Sequence, residues 1–190
     1  MSPLLNAAVF LINIAFSFYI YILIFRVLMQ KYNVSWHNPL AQIVIRCTKY
    51  VVNITRRIAP GFKGIDLSIV LLIIILEGVR FWLIQALSGV VIKSILGVLV
   101  ISIAAFIDDL LGVYFFMIIV VAIFSWFASA RPNPLASICV TIVQPVMAMC
   151  RRVIPSISGI DLSPLICLVV IQLVKILFLM PLSNFGVSLL

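Results

Sequence analysis

Four apolar runs, each about as long as a bilayer is thick, leave this chain few folds to choose from. A hydrocarbon core of about 30 Å takes about 20 helical residues at about 1.5 Å each. Residues 7–28, 67–87, 110–127 and 162–182 meet that length, interrupted only by Arg26 near the end of the first run, Glu77 and Arg80 in the second and Lys175 in the fourth. Water-soluble domains carry roughly a quarter of their residues as charges, whereas this 190-residue chain has 9% charged and 65% hydrophobic residues. The predicted class is an all-α integral membrane protein with four transmembrane helices. No Lys or Arg precedes Arg26, so the basic start of a cleavable signal is missing and the first run is expected to stay as a span.

The net charge of +8 matters through its placement. No stretch is polar enough to form a water-exposed nucleic-acid-binding domain. Between the first two spans lie Lys31, Arg46, Lys49, Arg56, Arg57 and Lys63; between the last two lie Arg131, Arg151 and Arg152. Basic connections stay on the cytoplasmic side, so both should face the cytoplasm and both termini the periplasm. An even number of spans must then separate them. This assigns residues 88–109, and the apolar stretch 90–107 within them, to an outer interfacial or re-entrant connection, with Asp108 and Asp109 at the outer boundary. Trp36 and Trp126 fall at the expected inner boundary, and Phe81, Trp82 and Tyr114 to Phe116 toward the outer one.

The chain also repeats itself. A shift of 95 residues aligns 38–68 with 133–163 without a gap, with 14 of 31 positions identical. Asn38-Pro39-Leu40-Ala41 matches Asn133-Pro134-Leu135-Ala136, Arg56-Arg57 matches Arg151-Arg152, and Gly64-Ile65-Asp66-Leu67-Ser68 matches Gly159-Ile160-Asp161-Leu162-Ser163. Each copy reads as a span, a cytoplasmic surface helix and a second span, with residues 1–87 forming the first copy and 110–190 the second. Two spans return the chain to its starting side, so the copies run parallel.

The surface segments, 39–58 and 134–153, have their own signals. Asn38 and Asn133 are N-cap candidates, and the prolines after them suit a first helical turn. In the first copy Leu40, Ile43, Val44, Cys47, Val51, Ile54 and Ile58 share an arc of about 100°, with Arg46, Lys49, Arg56 and Arg57 opposite. Such a helix either lies in the lipid interface or packs on the protein's own spans with a solvated basic face. Pro145 should kink or split the second copy's helix. Asp66 and Asp161 are placed to cap the following spans, with the Arg pairs within reach. Arg56, Arg57, Arg151 and Arg152 form either an inner-boundary clamp, which capping already accounts for, or a headgroup site.

The doubled pattern Asn-Pro, Arg-Arg-x-x-Pro and Gly-Ile-Asp-Leu-Ser resembles the YggT family of bacterial inner-membrane proteins, related to the YlmG proteins. The second copy is the closer match, with Gln144-Pro145 and Ser163-Pro164 in place, while Tyr50 and Ile69 replace the prolines in the first. The resemblance implies membrane factors tied variously to osmotic tolerance, cell division or shape, and cofactor assembly on membrane cytochromes. It transfers no catalytic residue.

Enzyme chemistry has little to work with: His37 is the single histidine, and no acid/base pair or nucleophile triad is legible. The expectation is a non-enzyme without cofactor or metal, and the four cysteines read as apolar filler. Glu77 stands ten residues from either end of its run, with Arg80 three residues on to pair with it. The copy-two equivalents are Gln172 and Lys175, and both Arg80 and Lys175 could snorkel outward. Two functions follow. One is a scaffold or assembly factor whose basic surface helices contact anionic phospholipid headgroups or membrane-protein partners, a second copy of the chain included. The other is a small ion or osmolyte conduit lined by Glu77, Arg80 and Lys175.

Overall fold

The computed structural model describes residues 2–56, 66–126, 133–153 and 161–190. Among these, α1 is Pro3–Lys31, α2 Pro39–Thr55, α3 Leu67–Leu87, α4 Ile95–Trp126, α5 Pro134–Val153, α6 Ser163–Val174 and α7 Met180–Ser188, with a π turn, Lys175–Leu179, joining the last two. Among the described residues, five helices are long and apolar enough to cross a membrane: α1, α3, α4, α5 and the run Ser163–Ser188. The chain is a multi-pass helical membrane protein. Its outer surface agrees, since Phe10, Phe18, Leu165 and Phe178 are each at least 60% exposed, an arrangement suited to lipid rather than water.

The third long helix departs from the expectation. Residues 95–107 do not form a separate connection; they are the first turns of the single uninterrupted helix Ile95–Trp126. The repeat explains this, because a shift of 95 residues carries Pro3–Lys31 onto 98–126, making α4 the counterpart of α1 along its whole length. Asp108 and Asp109 therefore sit inside a long helix rather than ahead of one. Carboxylates can do so only when paired, and partners are present, as described below.

α1 begins on Ser2, whose hydroxyl accepts from Leu5 N at 3.3 Å, and Pro3 occupies the first turn, where no N–H is needed. α4 packs against α3 and α7, and α3 against α1. The C-terminal end of α7 returns to the start of α4: Gly186 lies so close that a Cβ would meet Ile101 Cγ1 at 2.7 Å, and one on Gly97 would meet Gly186 O at 2.9 Å. The run from Ser163 to Ser188 is thus antiparallel to α4. The π turn comes directly before Pro181, a residue that lacks the N–H of a regular turn and crowds the carbonyl four residues back.

The core joins Ile20, Leu23 and Ile24 of α1, Ile69 and Ile73 of α3, Met117 and Ile118 of α4, and Ile138, Ile142 and Val143 of α5. α5 does not split at Pro145. It is also more deeply packed than α2: where α2 buries only Ala41, Thr48 and Val52, α5 buries Ile138, Cys139, Ile142, Val143 and Met147. Trp36 is exposed just ahead of α2, but Tyr114 is not at the outer boundary: its hydroxyl lies 2.9 Å from that of Tyr32, which follows α1. The Trp126 side chain lies outside the described residues.

Candidate functional site

The repeated motif builds the same joint twice. Asn38 Oδ1 accepts from Leu40 N and Asn133 Oδ1 from Leu135 N, both at 2.9 Å, so the asparagines cap α2 and α5 as expected. The copies meet here as well, Asn38 Nδ2 donating to Pro134 O at 2.8 Å. At the other ends of α2 and α5, Arg56 Nε lies 2.6 Å from Asp66 Oδ2, and Arg151 Nη2 lies 2.6 Å from Asp161 Oδ2. The clamp is therefore present in both copies.

The two clamps differ in depth. Asp66 is buried and makes no backbone cap; instead Ser68 Oγ donates to its Oδ1 at 2.5 Å. Asp161 is more open and does bond backbone, accepting from Ser163 N at 2.9 Å. Hydrogen bonds from the Ser163 backbone N–H and from Arg151 hold the Asp161 carboxyl below its ordinary value against the opposing effect of burial. Arg152 is exposed, while Arg57 and Lys63 lie outside the described residues.

α2 carries three faces rather than two. Ala41, Thr48 and Val52 are buried, and Leu40 and Val44 pack beside the core. Ile43, Cys47, Tyr50 and Ile54 form an exposed apolar stripe, and Arg46, Lys49 and Arg56 an exposed basic one beside it. The expected apolar arc is thus divided between protein and surroundings. A residue that sequence reading left aside fastens this helix: Arg26, buried near the end of α1, donates to Thr48 Oγ1 and, at 3.3 Å, to Ile45 O. The signal was a lone arginine ending an apolar run directly before an amphipathic helix.

The second cluster lies halfway along the long helices. Arg80 Nη2 is 2.6 Å from Glu77 Oε2, the expected intrahelical pair. The same guanidinium reaches Ser17 Oγ on α1 at 3.0 Å and Asp109 Oδ2 on α4 at 4.0 Å. Tyr21 OH lies 3.4 Å from Asp109 Oδ1, and Lys175 Nζ lies 3.0 Å from Asp108 Oδ1. Arg80 and Lys175 do not snorkel outward; both turn to α4, where a nearby carboxylate offsets more of the desolvation cost than a long reach to the headgroups. Beside the Lys175 pair is a cavity of about 360 Å³ lined in part by Asp108, Gln172, Lys175 and Ser183.

Two of the cysteines join helices: the sulfurs of Cys150 on α5 and Cys167 on α6 are in contact, with Cα atoms 6.4 Å apart. Among the described residues, no group of three or more His, Cys, Asp or Glu is placed to hold a metal ion.

These features define a helical multi-pass membrane protein built from a tandem repeat, with paired charges inside it. The CCB3/YggT family matches the chain twice, over residues 5–87 and 100–182, and the protein belongs to that family. The chain is 34% identical to uncharacterized protein PA0392 of Pseudomonas aeruginosa, over 93% of this chain and 90% of that one. It is 30% identical to an uncharacterized protein from the proC 3' region of Vibrio alginolyticus, over 91% of this chain and 94% of that one. It is 26% identical to uncharacterized protein YggT of Escherichia coli K12, over 90% of this chain and 88% of that one. No solved structure matches.

Proposed function

We propose that this protein is a scaffold or assembly factor of the bacterial inner membrane, without enzymatic activity, whose surface helices rest on anionic phospholipid. In this reading α1, α3, α4 and Ser163–Ser188 cross the membrane, and α2 and α5 lie on its cytoplasmic side. α5 is long enough to cross, but its start meets the start of α2 through Asn38 and Pro134, and its end meets the first turns of α6 through Cys150 and Cys167. Because α7 ends beside the start of α4, those first turns of α6 belong to the opposite end of the bundle. Both ends of α5 are thereby assigned to the basic side, and the charge rule makes that side cytoplasmic.

The observation that carries the scaffold reading is the pair of stripes on α2. A helix packed only on protein has no use for an exposed apolar row at Ile43, Cys47, Tyr50 and Ile54, whereas an interfacial helix inserts it beside the headgroups and turns Arg46, Lys49 and Arg56 toward phosphate. Membrane-protein partners, or a second copy of the chain, would dock on the same face. The test is native mass spectrometry of the full chain. Wild type should retain anionic phospholipid, and Arg46→Glu with Lys49→Glu should lose most of it. Equal retention by both would reject the reading.

A conduit is the second reading, supported by the cavity between α4 and the π turn with its polar residues Asp108, Gln172, Lys175 and Ser183. Ion flux through proteoliposomes of the pure protein would favour it. The pairing of the charges speaks for the scaffold, since Arg80 closes on Glu77 and Lys175 on Asp108.

A further inference from the structure

The charges halfway along the helices are unevenly matched. α3 supplies Glu77 and Arg80, α4 supplies Asp108 and Asp109, the π turn supplies Lys175, and α1 faces them with Ser17 and Tyr21. Asp108 is neutralised by Lys175. Arg80 is left between two carboxyl groups, with Glu77 Oε2 at 2.6 Å and Asp109 Oδ2 at 4.0 Å. The Glu77 and Asp109 carboxyl groups thus meet around one guanidinium.

What singles this pair out is an absence of donors. Glu77 is 1% exposed, and among the described residues no donor reaches its Oε1 or Asp109 Oδ2, although both atoms are buried. A buried acceptor without a donor is costly, and two adjoining carboxylates repel each other where water cannot screen them. One proton eases both costs: it gives the pair a donor of its own and leaves a single negative charge for Arg80. An alkali cation fits poorly, because the Arg80 guanidinium already occupies the cationic position.

We infer that Glu77 and Asp109 hold one proton between them, so that the junction of α1, α3 and α4 is a proton-binding site at the middle of the membrane. The site occurs once per chain. In the second copy Gln172 stands where Glu77 does, and Gly112 where Ser17 does.

Infrared spectroscopy of the full chain in lipid nanodiscs at neutral pH tests this directly. Wild type should show one protonated-carboxyl stretch that moves down in D2O. Glu77 is the chain's single glutamate, so ¹³C-glutamate labelling reports whether its carboxyl contributes. The band should vanish in Glu77→Gln and in Asp109→Asn and persist in Asp108→Asn, whose partner is Lys175. Absence of the band in wild type overturns the proposal without relying on any variant. So does a band that survives either substitution, or a carboxylate signal that shifts when sodium replaces potassium, which would assign a metal cation instead.

Discussion

Lys175 and Asp108 face each other at 3.0 Å, joining the π turn to the middle of α4. Neither residue could serve its helix alone, since a lone charge at such depth costs at least about 2.5 kcal/mol on insertion scales. Lys175→Met should lower thermal stability in detergent by leaving Asp108 unpaired, and adding Asp108→Asn should restore much of it. A double-mutant cycle should give a coupling of about 0.5–3 kcal/mol. Additive losses would mean the contact contributes nothing.

Arg80 should prove the least replaceable residue of the buried layer. Because Asp109 lies on its other side, Glu77→Gln does not strand the guanidinium, and Asp109→Asn leaves it Glu77. Either single change should therefore be mild. Arg80→Gln leaves two carboxyl groups with no cation and should cost about 3–5 kcal/mol, the range for breaking a buried pair. Thermal melting of the three variants in one detergent decides the order.

The two clamps should respond unequally. Asp66→Asn removes a buried anion from the exposed Arg56 and should be the costlier change, whereas Asp161→Asn touches a more open pair and should cost no more than about 1 kcal/mol. The pH dependence of the Asp161 contribution has a definite sign: its folded pKa is lowered, so the stabilisation is complete above the ordinary aspartate range and disappears as pH falls through the folded value. An acid titration of stability should lose its low-pH component in Asp161→Asn.

Gly97 and Gly186 hold α4 and α7 at backbone distance. Gly186→Ala puts a methyl 3.2 Å from Ile101 N as well as against its side chain, so the helices must separate. Melting temperature should fall in Gly97→Ala and in Gly186→Ala, with the double variant falling less than the sum, because the second methyl enters a gap already opened. Full additivity would place the two glycines in separate contacts.

Topology reporters discriminate four spans from five. A periplasm-only reporter fused after Leu190 should be active, and reporters after Lys63 and after Ser158 should be silent. A silent fusion at Leu190 with an active one at Ser158 would mean that α5 crosses the membrane.

The sequence made the joints of this fold legible because each is local: Asn38 caps Leu40 two residues on, and Arg56 reaches Asp66 within ten. The same text misled at Asp108 and Asp109. Two adjacent acids in an apolar run read as a boundary, and only the fold brings Arg80 and Lys175 from other helices to neutralise them. The repeat contained the remedy, since the counterpart of 98–126 is the unbroken run 3–31. The Cys150–Cys167 link and the hold of Arg26 on Thr48 were not readable either, being contacts between helices that no spacing rule connects.

The replacement of Glu77 by Gln172 in the second copy bears on how such a molecule can be inherited. A half-length chain that associated with itself would present its acid on both sides of the symmetry axis or on neither. Joining the halves in one polypeptide frees each to mutate alone, and a single Glu77 facing a single Gln172 is a state that a self-associating half-length chain could not reach.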